Sequence, residues 1–293
     1  MIIAVASGKG GTGKTTVAAS LAWVWPRPVL AVDLDVEEPN LHLFLRPEIT
    51  GSCPAFLTVP QVELDRCTYC GACADLCQFK AISVFGEVVL TYPDLCHGCG
   101  GCLAVCPTQA VRPAQRELGQ IQWGQAGPLE FLQGTLRLGE AMSPPLMRQV
   151  KARMQARLAG PPVDVLIDAP PGVSCPALTA VMDSDAILLV TEPTPFGLYD
   201  FQLAWEAMAP LGKPLGAVIN RAGLGSDAIY RFCAAQGVPI LAAIPYDRAI
   251  AAAYAQGQVI AQTSPVLEDL FRTLAARLEA WRPPEVQREA VHA

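Results

Sequence analysis

A chain of 293 residues with 52% apolar content can bury one large core or two small ones, which excludes disorder as its main state. Only 16% of residues are charged and mean hydropathy is positive. The longest uncharged run, Ala249 to Leu267, is nevertheless broken by Gln256, Gly257, Gln258, Gln262, Ser264 and Pro265, which excludes a spanning helix of about 20 apolar residues and any stable membrane insertion. The formal charge of −6, with no run of like charge, argues against nucleic acid as a partner, because such binding rests on clustered Lys and Arg.

The opening MIIAVASGKGG has no basic n-region and no small-residue cleavage site, so the sequence predicts a cytoplasmic protein. Ile2 to Ala6 reads as a short buried strand that ends in the glycine-rich turn SGKGGTGKTT. Val17, Leu21, Val24 and Trp25 then recur at helical spacing, and Val29 to Val32 is a second strand. From about Val59 to Pro113 the composition changes, and eight of the eleven cysteines lie between positions 67 and 106. Gly119 to Glu140 reads as strands or a hairpin rejoining the main sheet, although Gly124, Gly127 and Gly134 weaken that pattern. Strand-like runs at Val163 to Ile167, Ala186 to Val190, Leu215 to Ile219 and Pro239 to Ile244 follow. They alternate with helical segments near Pro145 to Leu158, Pro176 to Met182, Leu198 to Met208, Asp227 to Ala235 and Arg248 to Ala255. The alternation predicts an α/β fold, a mostly parallel doubly wound sheet with helices on both faces. The expected organisation is one discontinuous domain, 1–58 and 114–293, with a small α+β domain inserted at 59–113. Pro54, Pro60 and Pro113 flank the insert as linker prolines would. A last helix, about Pro265 to Trp281, is expected to cover the sheet, since its polar face is mixed rather than basic, and beyond Pro283-Pro284 a frayed tail is expected.

Gly8-Lys9-Gly10-Gly11-Thr12-Gly13-Lys14-Thr15 matches G-x-x-x-x-G-K-[ST] between a strand and a helix, the context that a phosphate-binding loop requires. Its backbone N–H groups converge on phosphate oxygens, Lys14 reaches the β and γ phosphates, and the Thr15 hydroxyl ligates magnesium, with Thr16 following in the loop. The extra lysine, Lys9, makes KGGTGKTT resemble the deviant Walker A ATPases, the family of MinD, ParA, Mrp-type cluster carriers and the nitrogenase iron protein. That resemblance implies an Mg-dependent ATPase in which Lys9 contacts nucleotide across a dimer interface, the partner being a second copy or a paralogous subunit. Asp33-Leu34-Asp35 resembles the family's switch I, whose second Asp orients the attacking water. Asp168-Ala169-Pro170-Pro171-Gly172 resembles switch II, whose Asp supports magnesium. Asn220-Arg221 resembles the adenine-recognition position, and Pro245-Tyr246-Asp247 falls where a second base contact lies. Glu37-Glu38-Pro39-Asn40 departs from the small residues usual after the catalytic Asp.

Cys67, Cys70, Cys73 and Cys77 recur 29 positions later as Cys96, Cys99, Cys102 and Cys106, with Gly71 recurring as Gly100 and Ala81-Ile82 as Ala110-Val111. C-x-x-C-x-x-C-x-x-x-C twice resembles the bacterial ferredoxins, where the fourth Cys of each run ligates the other of two [4Fe–4S] clusters. The implied sets are Cys67, Cys70, Cys73 with Cys106, and Cys96, Cys99, Cys102 with Cys77. Zinc fits less well, because it is satisfied by four ligands and commonly uses two separated pairs. Gln78 departs from the Pro that follows the fourth Cys, a position Pro107 keeps in the second run. Cys233 reads as a core thiol, Cys53 as a loop thiol, and Cys175 as a buried thiol in the switch II region; His42, His97 and His292 form no metal spacing. Together these features imply a P-loop ATPase carrying a ferredoxin-like insert. Three functions stay open: ATP-coupled electron transfer to a redox partner, a cluster assembly or carrier ATPase serving an apo iron–sulfur protein, and a redox-sensing nucleotide switch. Permanent ligation by eight cysteines favours the first.

Overall fold

A computed structural model describes residues 1–282; the expected tail and His292 lie outside the described residues. β1 (Ile2–Ala6), α1 (Lys14–Val24), β2 (Val29–Asp33) and a short helix α2 (Leu41–Leu45) lead into a long strand, β3 (Glu48–Val62). The cysteine-rich stretch then forms α3 (Ala72–Leu76), a hairpin of β4 (Ile82–Phe85) and β5 (Val88–Thr91), and α4 (Gly101–Val105). The chain returns along β6 (Val111–Ala126) and β7 (Leu129–Leu136). It continues as α5 (Ser143–Leu158), β8 (Asp164–Asp168), α6 (Cys175–Val181), β9 (Ala186–Thr191) and α7 (Pro195–Met208). The last elements are β10 (Leu215–Ala222), α8 (Ala228–Gln236), β11 (Ile240–Pro245), α9 (Arg248–Ala255) and α10 (Pro265–Glu279).

The main sheet has nine strands in the order β11-β10-β9-β1-β8-β2-β7-β6-β3. Pairing is parallel from β11 to β7, and β6 and β3 are added antiparallel at one edge. Every residue of β1, β2, β8 and β9 is buried, which is why these strands read as unbroken apolar runs rather than alternating ones. Successive residues feed opposite faces: Ile2, Ala4 and Ala6 pack with residues of α5, α6, α7 and α8, whereas Ile3 and Val5 pack with α1 and α10. Two helix starts are set by a hydroxyl followed by proline. Thr194 accepts a hydrogen bond from the Gly197 N–H (3.0 Å) before Pro195, and Ser264 accepts one from the Leu267 N–H (3.2 Å) before Pro265. α10 buries Leu267, Phe271, Leu274 and Leu278 and so covers the sheet. No helix among the described residues is long and apolar enough to cross a membrane.

The segment leading into the insert differs from a linker. β3 and β6 pair continuously from Glu48↔Gln125 to Val62↔Val111, while β7 pairs β6 only between Gly119↔Leu136 and Ala126↔Leu129. Val111 to Glu117 therefore pairs with β3 alone, and a two-stranded ribbon projects roughly 25 Å past the sheet at about 3.3 Å per residue. It leaves the sheet at a bulge, where Leu118 is the extra residue opposite Ala55 and Phe56. Pro60 lies in register with Pro113 within the ribbon, and Pro54 lies opposite Gln120 on the edge strand of the sheet, just before the bulge, so these prolines sit in paired strands. Proline is tolerated there because each of these strand segments has an unpaired edge to which no N–H need be donated. Cys53, read as a loop thiol, is a strand residue opposite Ile121. Ala55 at the ribbon's root and Leu57 and Val59 within it pack in one core with Ala81 and Cys96, so the insert shares buried contacts with the rest of the molecule instead of hanging on a tether.

At the opposite edge of the central strands, buried Asp164 holds the end of the described chain in place. It accepts bonds from Arg282 Nη2 (2.6 Å), Arg282 Nη1 (3.0 Å) and the indole N–H of Trp25 (3.0 Å). Burial alone would raise its pKa, but these donors hold the carboxyl down at about 2. Such a depressed pKa adds stability that is present above the unfolded value near 4 and lost as pH falls through about 2. Asp164→Asn is expected to cost about 2 kcal/mol in urea unfolding at pH 7 and almost nothing at pH 2; an unchanged midpoint at pH 7 would contradict this role.

Candidate functional site

β1 ends at Ala6 and α1 begins at Lys14, so the glycine-rich loop crosses the C-terminal edge of the sheet and its N–H groups gather at a helix start. Gly13 has φ +91°, and a Cβ there would run into the Asn220 amide, so the position demands glycine. The ends of β2 and β8 lie beside the loop. Buried Lys14 places its Nζ 2.6 Å from Asp168 Oδ1, 3.8 Å from Asp35 Oδ2 and 3.5 Å from the Thr15 hydroxyl. Burial would lower the Lys14 pKa, but the charges of Asp168, Asp35 and Asp33 raise it overall. Asp33 turns inward: Oδ1 accepts the Asp35 N–H (3.0 Å) and Oδ2 accepts those of Asn40 (3.0 Å) and Leu41 (2.9 Å), fixing the loop that presents Asp35. Its carboxyl is pushed well up by burial and by Asp168, against those backbone donors and Lys14. Asp168 Oδ2 and the Thr12 hydroxyl are buried and have no hydrogen-bond partner among the described residues. An orphaned carboxylate oxygen next to the Lys14–Thr15 pair suits a hydrated divalent cation. Glu37 and Glu38 are exposed, and the Glu37 charge adds to the repulsion felt by Asp35.

Lys9 is tied within its own chain: Nζ lies 2.9 Å from Glu192 Oε1 and 3.9 Å from Asp200 Oδ2. The other Glu192 oxygen accepts from Arg221 Nη1 (2.6 Å), and Arg221 Nη2 reaches the Gly11 carbonyl (3.3 Å). Burial raises the Glu192 pKa less than Lys9 and Arg221 lower it, so it stays below the ordinary carboxylate range. Sequence reasoning missed Glu192; an acidic residue directly past a buried parallel strand was the available signal. Asn220 donates to the Thr12 carbonyl (2.7 Å) and accepts from the Arg221 N–H (2.9 Å), leaving one donor and one lone pair for a ligand. Asn220, Arg221, Pro245 and Asp247 all line one cavity with Gly11, Gly13 and Thr16. Asp247 also caps α9, accepting the Ala249 N–H (2.7 Å), so part of its capacity is spent on the helix start.

The two cysteine runs fold alike. Tyr69 and Gly98, Gly71 and Gly100, and Lys80 and Gln109 are all left-handed, so the 29-residue repeat holds at the level of backbone dihedrals. Gly71 and Gly100 precede the five-residue helices α3 and α4, which carry Cys73 and Cys102. Two cavities lie in this module. One is lined by Cys67, Cys70, Cys73 and Cys106, the other by Cys77, Cys96, Cys99 and Cys102 together with Thr58, Val59 and Pro60 of the ribbon. Backbone N–H groups point at sulfur: Ala81 to Cys77 (3.3 Å), Ala110 to Cys106 (3.1 Å) and Gly98 to Cys96 (3.4 Å). Burial raises the Cys106 pKa less than its backbone and Thr108 donors lower it, whereas burial wins at Cys73 and Cys102 and raises theirs. Among the described residues, no three of His, Cys, Asp and Glu are arranged to hold a single metal ion. His97 stacks on Phe79 at 3.4 Å between ring centroids. Cys233 is a core thiol whose pKa burial pushes up to about 11, and Cys175, expected to be buried, is exposed.

Asp35 carries the charge left over at this site. Burial, against the attraction of Lys14 and with repulsion from Asp168, pushes its carboxyl up to about 6. A raised carboxyl pKa means stability that is full below the unfolded value near 4 and lost as pH rises through about 6. Without nucleotide or magnesium, Asp35→Asn is expected to stabilise the protein by about 1–3 kcal/mol at pH 7.5 and by much less at pH 4.5. Equal or lower stability of the variant at pH 7.5 in urea unfolding would refute that reading.

Residues 3–260 match the CobQ/CobB/MinD/ParA nucleotide binding domain. Among curated relatives, an uncharacterized protein of Methanocaldococcus jannaschii is 32% identical over 252 residues, 84% of this chain and 85% of that one. An uncharacterized ATP-binding protein of the same organism is 26% identical over 238 residues, 78% of this chain and 69% of that one. Among solved structures, the cell division ATPase MinD of Pyrococcus furiosus is 25% identical with a TM-score of 0.60, covering 96% of this chain and 99% of that one. The septum site-determining protein MinD of Pyrococcus horikoshii, complexed with Mg-ADP, is 23% identical with a TM-score of 0.61, covering 95% of this chain and 96% of that one. The mostly parallel sheet, the glycine-rich loop at its edge and these matches make the chain a member of the CobQ/CobB/MinD/ParA nucleotide-binding family.

Proposed function

We propose that the chain binds and hydrolyses ATP with magnesium and couples that cycle to electron transfer through two [4Fe–4S] clusters held by its cysteine module. One observation carries the redox half: two adjacent cavities, each lined by a crossed set of four cysteines, stand on a ribbon that leaves the sheet at the same edge as the P-loop. That both rise from one edge follows from strand direction, since β7 runs parallel to β2 and the unpaired part of β6 lies past the C-terminal end of β7. Cys67, Cys70, Cys73 and Cys106 would hold one cluster and Cys96, Cys99, Cys102 and Cys77 the other. When bound, the clusters supply one-electron storage and transfer. The peptide N–H groups directed at sulfur favour the thiolate form that such ligation needs.

For the nucleotide half, Lys14 holds the β and γ phosphates, Thr15 and Asp168 hold magnesium, and Asp35 positions water, because phosphoryl transfer asks the protein mainly for placement and charge. Lys9 is the group that would leave Glu192 to reach the nucleotide of a second copy, which makes an ATP-dependent homodimer the proposed active assembly. Coupling has a material route. The Val36 carbonyl, next to Asp35, accepts the Leu136 N–H (2.9 Å), and the Leu118 carbonyl at the ribbon's root accepts the Arg137 N–H (2.8 Å). Buried Glu140 pairs with Arg116 on β6, and Arg116 and Arg137 both reach Asp94, two residues before Cys96. A shift of the Asp35 loop is thereby passed to the module.

Three measurements test the reading. Anaerobically purified protein should contain about eight irons and eight sulfides per chain; zinc or a single cluster would overturn the redox half. Asp35→Asn should bind ATP and lose turnover, whereas Lys14→Ala should lose both, and hydrolysis by Asp35→Asn at the parental rate would remove Asp35 from its role. Midpoint potentials should differ with and without ATP, and Arg116→Gln should shrink that difference; equal potentials in the parent would leave no coupling.

A further inference from the structure

We infer that Tyr254 stacks on the base of the bound nucleotide, so that α9 forms the base-side wall of the site. The cavity of about 210 Å³ that reaches from Gly11 and Gly13 of the P-loop past Asn220 is closed on its far side by α9. Ile250, Ala251 and Tyr254 line it together, and Ile250 and Tyr254, one helical turn apart, share a face. Among the described residues, two aromatic rings, Tyr246 and Tyr254, belong to its lining. Tyr254 is 55% exposed, and its ring packs against that of Phe44 of α2, which does not line the cavity, with centroids 5.6 Å apart and planes at 37°. The same end of α9 is pinned to α2 where Arg46 Nη2 donates to the Gln256 carbonyl (3.1 Å). A half-exposed ring that packs against a second ring and lines a cavity that also offers one free amide donor and acceptor is what a planar heteroaromatic ligand needs. Stacking supplies area and the Asn220 amide supplies the edge contact. Because α2 begins at Leu41, whose N–H binds Asp33 together with that of Asn40, the base contact also bears on the loop that presents Asp35.

The inference rests on the nucleotide reading above, and the test separates the two. Calorimetric titration of the full chain with Mg-ATP and with Mg-tripolyphosphate, which carries the phosphates and no base, is compared for the parent, Tyr254→Ala and Tyr254→Phe. Tyr254→Ala should bind ATP about 10-fold more weakly, or about 1.4 kcal/mol, with unchanged tripolyphosphate affinity, and Tyr254→Phe should restore ATP binding. Unchanged ATP affinity in Tyr254→Ala, or equal weakening for both ligands, would overturn the base contact while leaving the P-loop reading intact. A parent that bound neither ligand would overturn both.

Discussion

Three carboxylates, Asp33, Asp35 and Asp168, meet one ammonium, Lys14, in a place from which water is largely excluded. Buried charges must be paired or hydrogen-bonded, and each carboxylate meets that demand differently. Asp168 takes the lysine at 2.6 Å, and Asp33 takes three backbone N–H groups. Asp35 is left with its Oδ2 3.8 Å from the Lys14 Nζ and a pKa pushed up to about 6. The site therefore carries an acidic surplus at the sheet edge, which a divalent cation would relieve. Site and scaffold are inseparable here, because the N–H groups that satisfy Asp33 also set where α2 begins.

That same demand explains why the ribbon can serve as more than a stalk. The loop held by Asp33 is stitched through Val36 to β7, and β7 pairs with the strand that carries the cysteine module. The ribbon's inner residues share one core with Ala81 and Cys96, and Glu140, buried under Arg116, ties the hairpin end to Asp94. Pairing along its whole length and packed contacts at both ends distinguish the two-stranded ribbon from a flexible tether, whose ends move independently.

Much of the fold was legible because parallel strands buried on both faces leave continuous apolar runs, and β1, β8 and β9 show them within a residue of the expected bounds. The projecting ribbon was not legible. β3 alternates polar and apolar residues, contains Pro54 and Pro60, and is half exposed, so it carries neither the apolar run of a central strand nor clean hairpin signals. Its strand character comes from its partner, β6, whose paired residues lie from 49 (Val62↔Val111) to 77 (Glu48↔Gln125) positions away in sequence. Glu192 and Tyr254 escaped for a similar reason: neither belongs to a motif, and each becomes part of the site only because strand and helix ends from distant segments meet there.

The sequence by itself determined the local chemistry: a loop of glycines with Lys14 and Thr15 between strand and helix, acidic residues at two strand ends, and eight cysteines in a 29-residue repeat. These signals are short-range, since spacing along a few residues fixes which backbone and side-chain atoms can converge. Only the tertiary structure decided that the cavities stand on a paired ribbon, that the ribbon rises from the edge of the P-loop, and that Lys9 rests on Glu192. Those facts depend on strand order and direction, which are set by burial of both sheet faces over the whole chain and leave no mark in any local run of residues.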